Sequence, residues 1–529
     1  MATYYMRADG TAVNKAAATS DSAASTSMSI STHNGESFSA GDTIVISDNG
    51  GEYRGTILTV PSDGSDGSPI TYQNSGSPDM RGSALITGWT NYSGNVWQAT
   101  VSTEPNQVWV DGTFGDPQTS IGACVNNYDW YWSSSTLYLY DSSGDPDNRS
   151  SPGVEADELN DVFRLNGKDY IVIDGLTIRH SFRSGIRAWP QSEYATVKNC
   201  TVEWCWQRGI EGNQSNYDAD CYGWEIYDNT CRYCGEHGIT GAVRANGWNV
   251  YRNTCYENGT YNPTSSYTAG IKFWGNHLYT INCEIYENVC YSNGGVGGVG
   301  SGDGVGIWLD AVGFSAGNEN IVRHNLCYSN HSYGIFVEIS ERNIAHHNIC
   351  YDNATENYTS NIAIKAWNPY PAKYNEIYNN VAYGSNSWGI ECQGWNGGSN
   401  CCSYNKWYNN IVDGSSSQEL YLNNGGDNDG SEGTGNEYKY NSFGEDYNYM
   451  IQVAGTDYHS VASFESAVTG ASDNLSDEDP LFTAPGSNDF TLQGDSPCIG
   501  AGTVTSYSTG LLPGSTWPDG VQTGDQDSY

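Results

Sequence analysis

Basic residues are what this sequence has least of. Lysine and arginine together number 22, against 61 aspartates and glutamates in 529 residues, for a net charge of −39. A face that grips nucleic acid nonspecifically needs clustered basic groups, so that function class is excluded. The same charge repels a strongly anionic polymer unless basic groups line the groove. Long apolar runs are also missing. None approaches the roughly 20 residues that span a bilayer, so no membrane helix is expected. The opening Met1-Ala2-Thr3-Tyr4-Tyr5 carries no signal peptide. An aromatic, Asn-rich chain nonetheless fits secreted, extracellular material, and we expect the initiator Met to stand in place of a removed signal.

What is present points to strands and turns. Glycine (63), tyrosine (40) and abundant Asn, Ser and Thr favour them over helices. Two phrases recur. Gly306-Ile307-Trp308-Leu309-Asp310 returns as Gly334-Ile335-Phe336-Val337-Glu338, and His324-Asn325-Leu326-Cys327-Tyr328 returns as His347-Asn348-Ile349-Cys350-Tyr351. A Gly-Ile or Ala-Ile phrase places its isoleucine at 186, 210, 239, 271, 307, 335, 364 and 390, at intervals of 24 to 36 residues. Repeats of this length with strand-like pieces and Asn/Gly corners mark a solenoid. The fifteen cysteines do not form a disulfide pattern. Cys231, Cys255, Cys290, Cys327 and Cys350 each follow an Asn by two residues, and the next two repeats hold Ala382 and Val412 there. A slot that accepts Cys, Ala or Val is small, apolar and inward-facing, so these thiols are expected buried and reduced. Asparagines at one phase predict a hydrogen-bonded ladder at a corner. His277, His324, His346 and His347 suggest a cluster, but the phase of His324 and His347 reads as turn surface.

Residues 1–88 read as a cap with the first coils, and 89–150 as a β-rich insertion whose alternating aromatics (Val96-Trp97-Gln98-Ala99-Thr100, Thr136-Leu137-Tyr138-Leu139-Tyr140) predict antiparallel hairpins. The main solenoid spans 151–500, with a tail at 501–529. Asp479-Pro480-Leu481-Phe482 through Ser496-Pro497-Cys498-Ile499-Gly500-Ala501-Gly502 is similar to the ending of secreted bacterial β-helix proteins. With the Asn-x-Cys-Tyr and Gly-Ile repeats, most of the chain resembles the pectate-lyase-like superfamily. The resemblance implies an all-β fold, a right-handed parallel β-helix with the small N-terminal insertion.

Alternate strand residues share a face, so residues one and three places after each inward isoleucine should point outward together. The first row reads Arg187, Glu211, Thr240, Lys272, Trp308, Phe336, Lys365, Glu391. The second reads Trp189, Asn213, Ala242, Trp274, Asp310, Glu338, Trp367, Gln393. Two stacked carboxylates with flanking tryptophans suit a carbohydrate, because indole faces stack on sugar rings. Carboxylates roughly 5 Å apart match retaining glycosidase geometry. We therefore expect a polysaccharide-degrading glycoside hydrolase, acting as a monomer, with Asp310 and Glu338 catalytic. Lys272, Trp274, Trp308, Lys365, Trp367, Trp189 and Arg187 would bind substrate. No cofactor is required, although the acidic loop Gly425–Gly430 could take a structural calcium.

Two other classes stay open. The resemblance also covers lyases and epimerases, in which Lys272 or Lys365 would be the base and Asp310 and Glu338 would hold calcium. The motifs of pectate and alginate lyases are not evident, nor are the paired-Asp, Gly-His-Gly and Arg-Ile-Lys signatures of polygalacturonases. The nearest likeness is to β-helix glycoside hydrolases with an Asp and a Glu on successive coils. A noncatalytic glycan-binding surface or fibre protein is the third class.

Overall fold

The computed structural model describes residues 1–149, 152–212, 220–241, 243–261, 267–277, 279–295, 304–355, 358–367, 370–395, 402–423, 435–444, 450–475 and 477–503. They fall into two units, residues 1–192 with 196–211, and 193–195 with 212–529. Most of the glycine-rich run before Asp310, the acidic loop 425–430, Asn213, Ala242 and Cys401 lie outside the described residues.

In the second unit each regular coil carries three short parallel strands. Glu284–Tyr286, Val289–Tyr291 and Val305–Asp310 make one coil, and each strand pairs with its equivalent in the next. Between the first two strands the chain turns on one left-handed residue. Asp228, Arg252, Glu287, His324, His347, Asn379 and Asn409 all have φ between 51° and 55°. Such a conformation costs roughly 1–2 kcal/mol at a non-glycine residue. The asparagine that follows each offsets it. The side-chain amide of Asn253 donates to Asn288, Asn288 to Asn325, Asn325 to Asn348 and Asn348 to Asn380, at 2.9 to 3.0 Å. Every rung is buried, so each satisfied amide counts for more than it would in water. A second column runs through Asn258, Asn293, Asn330 and Asn353.

The cysteine slot is one row of the second sheet. Cys231, Cys255, Cys290, Cys327 and Cys350 are register partners in turn, followed by Ala382 and Val412. All fourteen described cysteines, Cys200 among them, are buried. On the outer face of that sheet Tyr256, Tyr291 and Tyr328 stack at 4.8 Å, which is the rise per coil. One expectation fails here. His324 and His347, expected as turn surface, are buried, as is His346, with His346 Nδ1 2.7 Å from His347 Nδ1. The corner that carries them is covered, and His346 stacks on Tyr378.

The first unit carries parallel strands of the same kind. Thr43–Ser47, Ile70–Ser75, Ile171–Asp174 and Thr196–Lys198 form one sheet, and Asp161–Arg164, Ser184–Arg187 and Arg208–Glu211 run in another. Between them, antiparallel strands Thr90–Ser93, Val96–Thr100, Thr136–Tyr140 and Asp129–Ser133 pair in that order. They close over their own core of Trp89, Val108, Trp130, Leu137, Leu139 and Val154. The alternating aromatics thus form the antiparallel hairpins that their period predicts.

Candidate functional site

The site sheet of the second unit is built from Ala269–Trp274, Val305–Asp310, Ile335–Glu338 and Ser360–Trp367. Ile271, Ile307 and Ile335 are register partners and are fully buried. That fixes the opposite parity outward, and Trp274, Asp310 and Glu338 become neighbours on successive coils. At the next coil the sequence reading slips by two residues. Ile362, not Ile364, aligns with Ile335, so Lys365 stands beside Glu338, and Trp367 lies two residues further along. Both isoleucines point inward at period two, so the phrase Ala363-Ile364 mimics the phrase that belongs to Asn361-Ile362. The observed row is Trp274, Asp310, Glu338, Lys365, Gln393.

The two carboxyl groups have different surroundings. Asp310 Oδ2 is 3.0 Å from Lys272 Nζ. That ammonium also lies 3.3 Å from the centre of the Trp308 ring, a close cation–π contact. The edge of the same indole serves the other acid, as Trp308 Nε1 donates to Glu338 Oε2 at 3.1 Å. Burial first and the charge of Asp310 second push the Glu338 carboxyl up to about 7, against the pull of Lys272, Trp367 and Lys365. Two like groups one coil apart therefore sit in unequal surroundings, and of the two it is Glu338 that burial raises.

Trp308 is 1% exposed, which corrects its reading as a sugar platform. Loop residues cover it, and it packs with Tyr333, Phe336 and Ala363 in a small outer core. Its work is to hold Lys272 with its face and Glu338 with its edge. Trp274 and Trp367 are half-buried and keep part of their surface. Lys272 and Lys365 are buried, and each faces a protein carboxylate, Asp310 and Glu391 respectively, the latter at 2.9 Å. A calcium ion on Asp310 and Glu338 does not fit these neighbours, because an ammonium already holds Asp310 and an indole N–H holds Glu338. Arg187 and Trp189 belong to the first unit.

Glu391 and Tyr370 are not among the candidate site residues of the sequence, and His277 enters there only as part of a histidine cluster. Glu391 is fully buried against Lys365, and burial raises its carboxyl pKa although Lys365 draws it down. Its place in the outward row was the signal. His277 lies within the field of Asp310, and its ring stacks 3.9 Å from exposed Tyr370. Neither belongs to the repeat, so no periodicity could have found them.

A family model for the right handed beta helix region matches residues 161–354. The fold is a right-handed parallel β-helix. A solved complex of XylC with xylose is similar at 15% identity, covering 85% of this chain and 76% of that one, with a TM-score of 0.54. The structure of pectate lyase Pel9A also matches at 15% identity, over 96% of this chain and 93% of that one, with a TM-score of 0.43. A structure described as a glycoside hydrolase matches at 11% identity, over 83% and 96%, with a TM-score of 0.45. Likeness at this identity establishes the fold alone. No curated protein sequence matches this β-helix. Among the described residues no helix is long and apolar enough to cross a membrane.

Proposed function

We propose that this β-helix is a secreted, monomeric glycoside hydrolase that cuts a polysaccharide with retention of configuration. The observation that carries the reading is the pairing of Asp310 with Glu338 on adjacent coils, one in an ion pair and the other raised to about 7. Adjacent strands lie about 4.8 Å apart, close to the roughly 5 Å separation of retaining pairs. In this mechanism Asp310 attacks the anomeric carbon while Glu338 gives its proton to the departing oxygen. Glu338 then takes a proton from water, which attacks the same carbon and releases Asp310. Lys272 holds the nucleophile in place and steadies its charge before attack. Trp274 and Trp367 offer the sugar faces on either side. The same matches include lyases and epimerases, and a lysine base is the runner-up. Against it, each lysine is engaged by a carboxylate within the protein.

The test is product chemistry on a polysaccharide panel with Asp310→Asn and Glu338→Gln beside the parent chain. New reducing ends without ultraviolet absorbance, lost in both variants, are expected. Trp367→Ala should raise KM more than it lowers kcat. Unsaturated ends that vanish in Lys272→Ala or Lys365→Ala would replace the hydrolase by a lyase. Retention of polysaccharide without products would make it a binding protein.

A further inference from the structure

In a chain so short of basic residues, four arginines of the first unit converge on two carboxylates. Glu211 is almost fully buried and accepts from Arg208 Nη1 at 2.8 Å, Arg183 Nη2 at 3.2 Å and the Ser184 hydroxyl, and it lies 3.1 Å from Arg187 Nε. Asp161 is fully buried, 2.6 Å from Arg164 Nη2 and 3.8 Å from Arg187 Nη1. Repeat geometry brings them together, since Asp161, Ser184 and Arg208 are register partners in turn, as are Arg164, Arg187 and Glu211. The guanidinium of Arg187 lies 4.5 Å from the centre of the Trp189 ring, and that indole is 40% exposed. Arg183 keeps a third of its side chain in solvent.

Two features of this cluster ask for an anion. Burial holds Arg187 below the ordinary arginine value, and the neighbouring charges of Arg183 and Arg164 add to that, only partly offset by Glu211 and Asp161. A bound carboxylate would relieve this crowding and would find planar guanidinium forks suited to it. The exposed indole beside it is a platform for a ring, which a free inorganic anion does not need. The net charge of −39 opposes a polymer with an acid on every residue. We propose that Trp189 with Arg183 and Arg187 forms a subsite for a carboxylate-bearing sugar, a single uronyl substituent on an otherwise neutral glycan.

This site lies in the first unit and Asp310 and Glu338 in the second, and its test reads binding alone. Isothermal titration of the full chain would compare a methyl hexuronide, its neutral parent methyl hexoside and inorganic phosphate. The uronide should bind at least tenfold tighter than the neutral glycoside and weaken as salt rises from low to high. Trp189→Ala and Arg183→Ala should each weaken it at least fivefold. Arg183 is the variant to rely on, because Arg187 is buried and its loss could disturb the fold. Equal binding of uronide and neutral glycoside would overturn the proposal. Binding of phosphate as tight as the uronide, indifferent to Trp189→Ala, would overturn it too, leaving a plain anion site.

Discussion

Replacing Glu338 by glutamine removes one ionisable proton and little else, because the amide oxygen can still accept from the Trp308 indole 3.1 Å away. The size of the effect follows from the raised affinity of this carboxyl. With its pKa pushed up to about 7 from an ordinary 4.5, about half of the molecules hold the acid form at pH 7. An unshifted carboxyl would hold on the order of 0.3% there, so the environment supplies on the order of 100-fold more acid. The parent chain should therefore show kcat/KM falling tenfold per pH unit above about 7. Glu338→Gln should lose about 10²–10⁴ in kcat on a polysaccharide, the usual worth of general acid catalysis. The loss in kcat/KM should be much smaller on an aryl glycoside whose leaving group needs no proton, and the limb near pH 7 should disappear. Added azide should rescue the aryl glycoside reaction and give a product of retained configuration, while in Asp310→Gly it should give the inverted azide. The reasoning is refuted if Glu338→Gln keeps polysaccharide turnover within fivefold, or if the same limb persists in the variant.

Three further outcomes follow from other parts of the molecule. Trp308→Phe keeps a ring under Lys272 but removes the donor to Glu338, so the high-pH limb should move up by about one unit or less, since a bond to a charged acceptor favours the charged form. A downward shift would contradict the assigned bond. Cys327→Ser should lower stability by about 1–3 kcal/mol, read as a urea midpoint, because the slot is fully buried between Cys290 and Cys350, whose thiols are weak partners for a hydroxyl. Burial, with nearby His347 and Arg323, holds His324 down to about 3, and holds His346 down to about 2 with the same help. Both folded values lie below the ordinary 6.5, so their contribution is complete above pH 6.5 and lost as pH falls below it. At pH 5 that is about 2 kcal/mol for each histidine, and a urea midpoint flat between pH 7.5 and 5 would count against the burial of this cluster.

The coils were legible in the sequence because one physical requirement is written many times. Each corner needs a left-handed residue and a buried amide to tie it to the next coil, and Asn288, Asn325, Asn348 and Asn380 supply the amide at a single phase. Each slot beside it admits only a small apolar group, whether Cys350, Ala382 or Val412. Repetition multiplies a weak local signal. Asp310 and Glu338 inherit that clarity, since each sits three residues after an isoleucine whose burial sets the parity of its strand.

Clarity fails where the repeat is degenerate or where tertiary covering decides. Period two makes Ile362 and Ile364 equivalent in parity, so the pattern places both inward yet leaves open which coil neighbour each one meets. Only the pairing of Glu338 with Lys365 settles it, and the consequence is chemical: the residue next to the raised carboxyl is a cation, not an indole. Covering is harder still. An outward position on a bare sheet would expose Trp308, but the packing of Tyr333 and Phe336 over this face makes it interior. A ring meant for solvent and a ring meant for an outer core are the same letter at the same phase. What separates them is the neighbour each must satisfy, and for Trp308 those neighbours are Lys272 and Glu338, on two different coils. The buried indole thus couples the partner of the proposed nucleophile to the proposed acid, a link that no single repeat contains.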